Sequence, residues 1–163
     1  MNNINLKEIM YNQKCVLENL FSYYVYDMSE FLGLSITDNG LFTFDKNSLT
    51  AYWHQNDHKP YFIYVENEIA GFVLLRRYPE CKSIWDIEQY FVLKKFKGQG
   101  VGKRAFQQLT EKYPGQWQVR ILKENKVAMK FWLATIESIV KTDYLSELAI
   151  DVDLEMHFIR FRI

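Results

Sequence analysis

The sequence predicts a mixed α/β fold of the α+β kind, with a central, mostly antiparallel sheet and helices on both faces. Three observations predict it. Two runs rich in aromatic and β-branched residues, Tyr61 to Val65 and Ile69 to Arg76, flank Glu66-Asn67-Glu68 and read as a hairpin. A longer run, Ser83 to Leu93, leads to a glycine-rich turn at 98–102 that opens a helix. A strand, a helix and two closing strands then follow, which is the element order of a mixed sheet.

Ahead of the hairpin, Ile9, Val16, Leu17, Leu20 and Tyr24 mark the apolar face of a helix over 7–26, and no strand is evident before it. A turn through Asp27-Met28-Ser29-Glu30 follows, broken again by Gly33 and Asp38-Asn39-Gly40. A short strand is expected at 41–45 and a short helix at 47–54. After the glycine turn, Ala105, Leu109 and Tyr113 line a helix that Pro114-Gly115 stops. Gln116 to Leu122 is the next strand, and Asn125 caps a helix reaching about Ile136. Residues 138–148 and 154–162 read as the closing strands.

The chain has 163 residues, the length of one domain over 1–163. Apolar residues make up 48%, enough for a packed core rather than a disordered chain. The formal net charge is zero, so nothing global points to nucleic acid or a membrane surface. Cys15 and Cys81 have no paired spacing and read as two free, mostly buried thiols of a reducing, cytoplasmic compartment. The start, Met1-Asn2-Asn3-Ile4-Asn5, lacks the basic patch and apolar run of a signal peptide. His54 and His58 stand four apart but no third ligand joins them, so no metal site is expected.

The most informative stretch is Lys97-Gly98-Gln99-Gly100-Val101-Gly102-Lys103. Glycines let the backbone turn sharply and bring its N–H groups against a ligand, and a helix N-terminus favours phosphate oxygens. Lys94, Lys95, Lys97, Lys103 and Arg104 surround the turn. The third glycine comes one residue too early for a dinucleotide fingerprint. A nucleotide P-loop needs four residues between its first glycine and Gly-Lys-Ser/Thr; here there are three, and Arg104 stands where the magnesium-binding hydroxyl should be.

The segment resembles the pyrophosphate-binding motif of the GNAT superfamily of acyl-CoA N-acyltransferases, Arg/Gln-x-x-Gly-x-Gly/Ala after a strand ending in an aromatic-Val-Leu run. Here that run is Tyr90-Phe91-Val92-Leu93, and Lys97 replaces the usual Arg or Gln. The family's second signature, Asn, then Ala three residues on, then an aromatic pair, is matched by Asn125, Ala128, Phe131 and Trp132. The two motifs cover about residues 84–136. The resemblance implies a GNAT-like fold, acetyl-CoA as cofactor, and acetyl transfer to a primary amine of a small molecule or peptide by direct attack in a ternary complex. A homodimer is one assembly open to such a domain.

The resemblance also implies roles. Lys97, Gly98, Gln99, Gly100, Val101, Gly102 and Lys103 would bind the cofactor, with Asn125, Phe131 and Trp132. Backbone N–H groups around Phe91, Val92 and Leu93 would steady the thioester oxygen, a contribution of about 3 kcal/mol per donor in comparable sites. Glu88 is the candidate base, since alternation sets Asp86, Glu88, Tyr90 and Val92 on one strand face. Many family members carry a Tyr where this chain has Trp132, whose indole gives a hydrogen bond but no proton. Tyr144 or Tyr90 would then substitute as acid, although a thiol with a pKa of about 8.5 leaves unaided. The acceptor wall would draw on Tyr23, Tyr26, Asp27 and Glu30 facing Asp86 and Glu88, which favours a cationic amine. The aromatics Phe21, Tyr23, Tyr24, Tyr26 and Phe31 suit either helix core or pocket lining. The acids Glu137, Asp143, Glu147, Asp151, Asp153 and Glu155 read as a solvated surface. The alternative to an enzyme is an acyl-CoA-binding sensor or regulatory module without turnover, and a third reading is an unrelated phosphate-binding α/β domain.

Overall fold

A computed structural model describes residues 3–140 and 143–163. Seven strands form one sheet in the order β1-β2-β3-β4-β5-β7-β6. They are β1 (Ile4–Glu8), β2 (His58–Val65), β3 (Glu68–Tyr78), β4 (Cys81–Val92), β5 (Gln116–Leu122), β6 (Leu145–Asp151) and β7 (Leu154–Arg162). All neighbours pair antiparallel except β4 and β5, which are parallel. The helices are α1 (Lys14–Met28), α2 (Lys46–His54), α3 (Val101–Lys112) and α4 (Lys126–Ile139). The fold class is the one expected from the sequence.

Each face of the sheet carries its own core. On one face, α1 buries Leu17, Leu20, Phe21 and Val25, three or four residues apart, against Phe62, Phe72 and Leu74. On the other, Ala105, Phe106 and Leu109 of α3 and Trp132 and Ile136 of α4 pack on Val73, Ile87, Trp117 and Ile159. Strand β3 is buried on both sides, so Ala70 to Leu75 run without polar alternation. Burying each large side chain here stabilises the fold by about 1.5–3 kcal/mol before entropy is counted.

Five expectations need correction. Cys15 and Cys81, expected to be mostly buried, are both exposed. A first strand does exist: Ile4–Glu8 pairs with β2, with Ile4 buried and the flanking polar residues more exposed. The first helix starts at Lys14, after a 3₁₀ turn at Tyr11–Gln13, not at residue 7. Residues 41–45 form no strand; Phe42 makes only an isolated bridge to Ile36. Of the strand expected over 138–148, residues 138 and 139 end α4, 141 and 142 lie outside the described residues, and pairing begins at Leu145.

Candidate active site

The site is built where the sheet comes apart. β4 and β5 pair only from Ile84–Ile87 to Gln116–Val119. Past that point the two strands diverge, leaving a cleft of about 410 Å³ lined by both. Leu93 donates its N–H to the Ala70 carbonyl on the β3 side. In an antiparallel ladder the direction alternates, so the N–H groups of Phe91 and Leu93 point to β3, and those of Tyr90 and Val92 point into the divergence.

Glu88 sits on a β-bulge. Leu74 pairs with Gln89 and Leu75 with Ile87, so Glu88 is the extra residue. This corrects the expected alternation. Trp85 and Ile87 face the α3/α4 core before the bulge, Tyr90 and Val92 face it after, and Phe91 faces α1. Asp86 and Glu88 therefore do not share a face with Tyr90 and Val92. The bulge aims Glu88 into the cleft, where one oxygen accepts from the Tyr52 hydroxyl at 2.5 Å and the other meets Arg76 at 2.6 Å.

Asp86 is fully buried and does not line the cleft, which overturns its expected contact with substrate. It lies 2.8 Å from the Arg120 guanidinium and 3.3 Å from Arg76, and it accepts from Gln118. Arg120 also pairs with Asp151. Burial alone would lower the Arg120 pKa, but Asp86 and Asp151 outweigh it and hold it above the ordinary value. Asp151 thus belongs to the cleft and not to a solvated surface. Arg76, Arg120 and Tyr52 carry no signal in the sequence that marks them as site residues; only the tertiary structure brings them together with Tyr24. Tyr24 lines the cleft; burial, reinforced by the Glu88 carboxylate, pushes its phenol well above the usual value, so it stays a donor.

The α1 residues that line the cleft, with the one that follows a turn beyond them, are Tyr24, Met28 and Leu32, spaced by four. Tyr26, Asp27 and Glu30 lie off that phase, so the acidic wall expected from them is absent. Tyr26 is exposed against Phe42, Glu30 is exposed, and Asp27 lies 3.3 Å from Lys97 and 3.7 Å from Lys94. Tyr144 is also misplaced as an acid: its hydroxyl donates to Glu137 and it does not line the cleft.

The glycine turn is shaped for a close ligand. Gly98 and Gly100 have φ of +78° and +75°, and a Cβ on either would meet nothing within 4 Å, so open space lies over the turn. Gly100 caps α3 without a side-chain bond, which leaves the first N–H groups of the helix to a ligand. Gly102 packs on Phe131, where an added Cβ would come within 3.0 Å of the ring. Gln99 donates to the Lys95 carbonyl, and Lys103 is exposed at the rim. Tyr90 lies beneath, donating to the Gly102 carbonyl at 2.6 Å. Asn125 caps α4 through its side-chain oxygen and lines the cleft. Trp132 lines the cleft too but is 6% exposed, its ring edge-on to Tyr90 and Phe106, so packing is its visible work.

A glycine-opened helix beside a parted parallel strand pair is an arrangement suited to an extended, phosphate-bearing ligand. The chain belongs to the GNAT acetyltransferase family, whose model matches residues 25–134. It is an acyltransferase, of a family whose cofactor is acetyl-CoA. An acetyltransferase from Thermus thermophilus is similar over 100% of both chains, with a TM-score of 0.73 and 12% identity. A Salmonella typhimurium protein described as an acetyltransferase, solved with acetyl-CoA, matches 98% of this chain and 94% of its own at a TM-score of 0.61 and 11% identity. A variant of a spermidine N-acetyltransferase from Vibrio cholerae matches 98% and 93% at a TM-score of 0.65 and 10% identity. No curated protein matches the sequence. No described helix is long and apolar enough to cross a membrane.

Proposed function

We propose that the chain transfers the acetyl group of acetyl-CoA to a primary amine of a small molecule or peptide, by direct attack within a ternary complex. The observation that carries this reading is the bulge at Glu88. It brings a carboxylate to the same cleft that Tyr90 lines, where the N–H groups of Tyr90 and Val92 turn away from β3.

The glycine turn and the N-terminus of α3 hold the pyrophosphate, with Lys97 and Lys103 at the rim, and Asn125, Phe131 and Trp132 bound the arm leading to the cleft. Bound there, acetyl-CoA supplies an activated thioester. The Val92 N–H, joined by that of Tyr90, donates to the thioester oxygen as charge develops on it. Glu88 keeps lone pairs beyond those used by Tyr52 and Arg76, so it accepts from the amine N–H, orients the nitrogen and passes its proton to water. The C–N bond forms as the C–S bond breaks, and the sulfur leaves as a thiolate.

Glu88→Gln tests this reading. It keeps the shape and the hydrogen bond from Tyr52 but removes the basic oxygen. Thiol release with an amine panel should fall by about 10²-fold or more in kcat, with acetyl-CoA affinity unchanged. An unaltered kcat would remove Glu88 from the proton path. Tight acetyl-CoA binding with no thiol release from any amine would leave a binding module instead of an enzyme.

A further inference from the structure

The acceptor half of the cleft divides into a charged floor and an apolar rim. The floor is one unbroken chain of alternating charge: Glu88, Arg76, Asp86, Arg120, Asp151. Three carboxylates face two guanidiniums, so the chain sums to one negative charge. Only its two ends, Glu88 and Asp151, have carboxylates that line the cleft, and each already holds one guanidinium. A single ammonium completes the balance. A second would add uncompensated positive charge beside two arginines in a partly desolvated site.

Above this floor the lining turns apolar. Met28 and Leu32 stand on the α1 side; Val152, Leu154 and Met156 stand on the β6–β7 hairpin. Val152 is 87% exposed and holds a φ of +56°, which β-branched residues rarely adopt. It occupies a turn position where Asn or Gly is the usual residue. An apolar side chain held out at a strained turn, on the lip of a cleft whose opposite lip is also apolar, suits contact with a ligand.

From this division we infer that the acceptor is an amphipathic monoamine: one primary amine at Glu88, carried on an apolar body that lies between α1 and the β6–β7 turn. The inference rests on the amine acetylation proposed above and narrows its substrate class. It sets this chain apart from a polyamine acetyltransferase, whose substrate carries several positive charges and no apolar end.

The test is a series of n-alkylamines from propylamine to octylamine, with 2-phenylethylamine, 1,4-diaminobutane and spermidine alongside. Steady-state rates are measured with acetyl-CoA, and dead-end affinities by calorimetry on protein loaded with coenzyme A. The expected result is a rise in kcat/KM of about fourfold per methylene, as for a methylene buried against apolar surface, with spermidine ranking below octylamine. In a Met28→Gln, Val152→Ser double variant the dependence on length should flatten, with octylamine losing more than propylamine. Spermidine ranking first, or a flat length series in the parent protein, would overturn the inference while leaving acetylation of amines intact. If no amine is acetylated, the proposed function falls, and the calorimetric order of the same amines still decides between a monoamine and a polyamine site.

Discussion

The Tyr52 hydroxyl donates to the Glu88 carboxylate over 2.5 Å, tying helix α2 to the bulged residue of β4. Tyr52→Phe removes a hydrogen bond to an ionised group, a loss of about 1.5–3 kcal/mol in stability. Glu88 would then be held by Arg76 alone, so kcat should fall while acetyl-CoA affinity stays the same. Urea unfolding and steady-state kinetics on the same variant check both halves. Unchanged stability and rate together would show that Arg76 suffices to fix the carboxylate.

Gly71 faces the end of β4, where an ideal Cβ would lie 2.0 Å from the Phe91 carbonyl oxygen. That neighbour is backbone and cannot swing aside. Gly71→Ala should displace Phe91 and Val92, destabilise the fold by about 1–3 kcal/mol or more, and lower kcat more than it raises KM. Equal kcat in a folded variant would mean that the Val92 N–H is not needed where it stands.

Gly100 caps α3 in the left-handed region. Aspartate tolerates that region and caps helices well, so Gly100→Asp should fold. Its carboxylate would compete with the pyrophosphate for the same N–H groups, and acetyl-CoA affinity should fall at least about tenfold, equivalent to 1.4 kcal/mol. Calorimetry reads this directly; a parent-like affinity would move the cofactor elsewhere.

Asp86 is wholly buried between two guanidiniums, whereas the Asp151 side chain is 24% exposed. Removing one partner of a buried pair costs about 3–5 kcal/mol. Asp86→Asn should therefore destabilise the protein far more than Asp151→Asn in chemical unfolding. Similar losses for the two would show that Arg76 and Arg120 find other partners.

Several tyrosine phenols are held above their ordinary pKa, Tyr24, Tyr52 and Tyr90 among them. Burial, with the Glu88 carboxylate second, raises Tyr24 and Tyr52, and burial raises Tyr90. Above about pH 10 the unfolded chain releases these protons while the fold retains them. The unfolded state then binds fewer protons, so stability falls with rising pH, by about 1.4 kcal/mol per pH unit for each tyrosine. Unfolding curves between about pH 9 and 11 should steepen accordingly, and Tyr90→Phe should shallow the slope. An identical slope in that variant would mean that Tyr90 ionises normally.

Much of the fold and part of the site are legible in the residues, because their signals are local. Gly98, Gly100 and Gly102 announce a strand-to-helix turn, and Asn125 with Ala128 announces a capped helix. Asp86 and Glu88 stand out as two carboxylates on a strand that otherwise reads as buried. What stays hidden depends on phase or on distance. The first strand, Ile4–Glu8, has only Ile4 fully buried and carries Asn5, Lys7 and Glu8, so its alternation is masked. Asp27 and Glu30 attract notice by residue type, but the turn of α1 gives the cleft Tyr24, Met28 and Leu32 instead. A one-residue bulge reverses every side chain after it, and nothing in Asp86-Ile87-Glu88-Gln89 marks the reversal. Arg76 and Arg120 lie on separate strands, 44 residues apart in number, and meet only through Asp86.

The parallel junction between β4 and β5 is four residue pairs long, shorter than any other in the sheet. Mechanically, the sheet is two plates, β1 to β4 and β5 with β7 and β6, joined along a brief weld. Asp86 sits within that weld, opposite Gln118, and bolts Arg76 of one plate to Arg120 of the other. Torsional compliance concentrates on this line. On one face the α3/α4 core spans both plates; Asp86 is the ion-paired link between them, so softening it would loosen the plates against each other at the cleft.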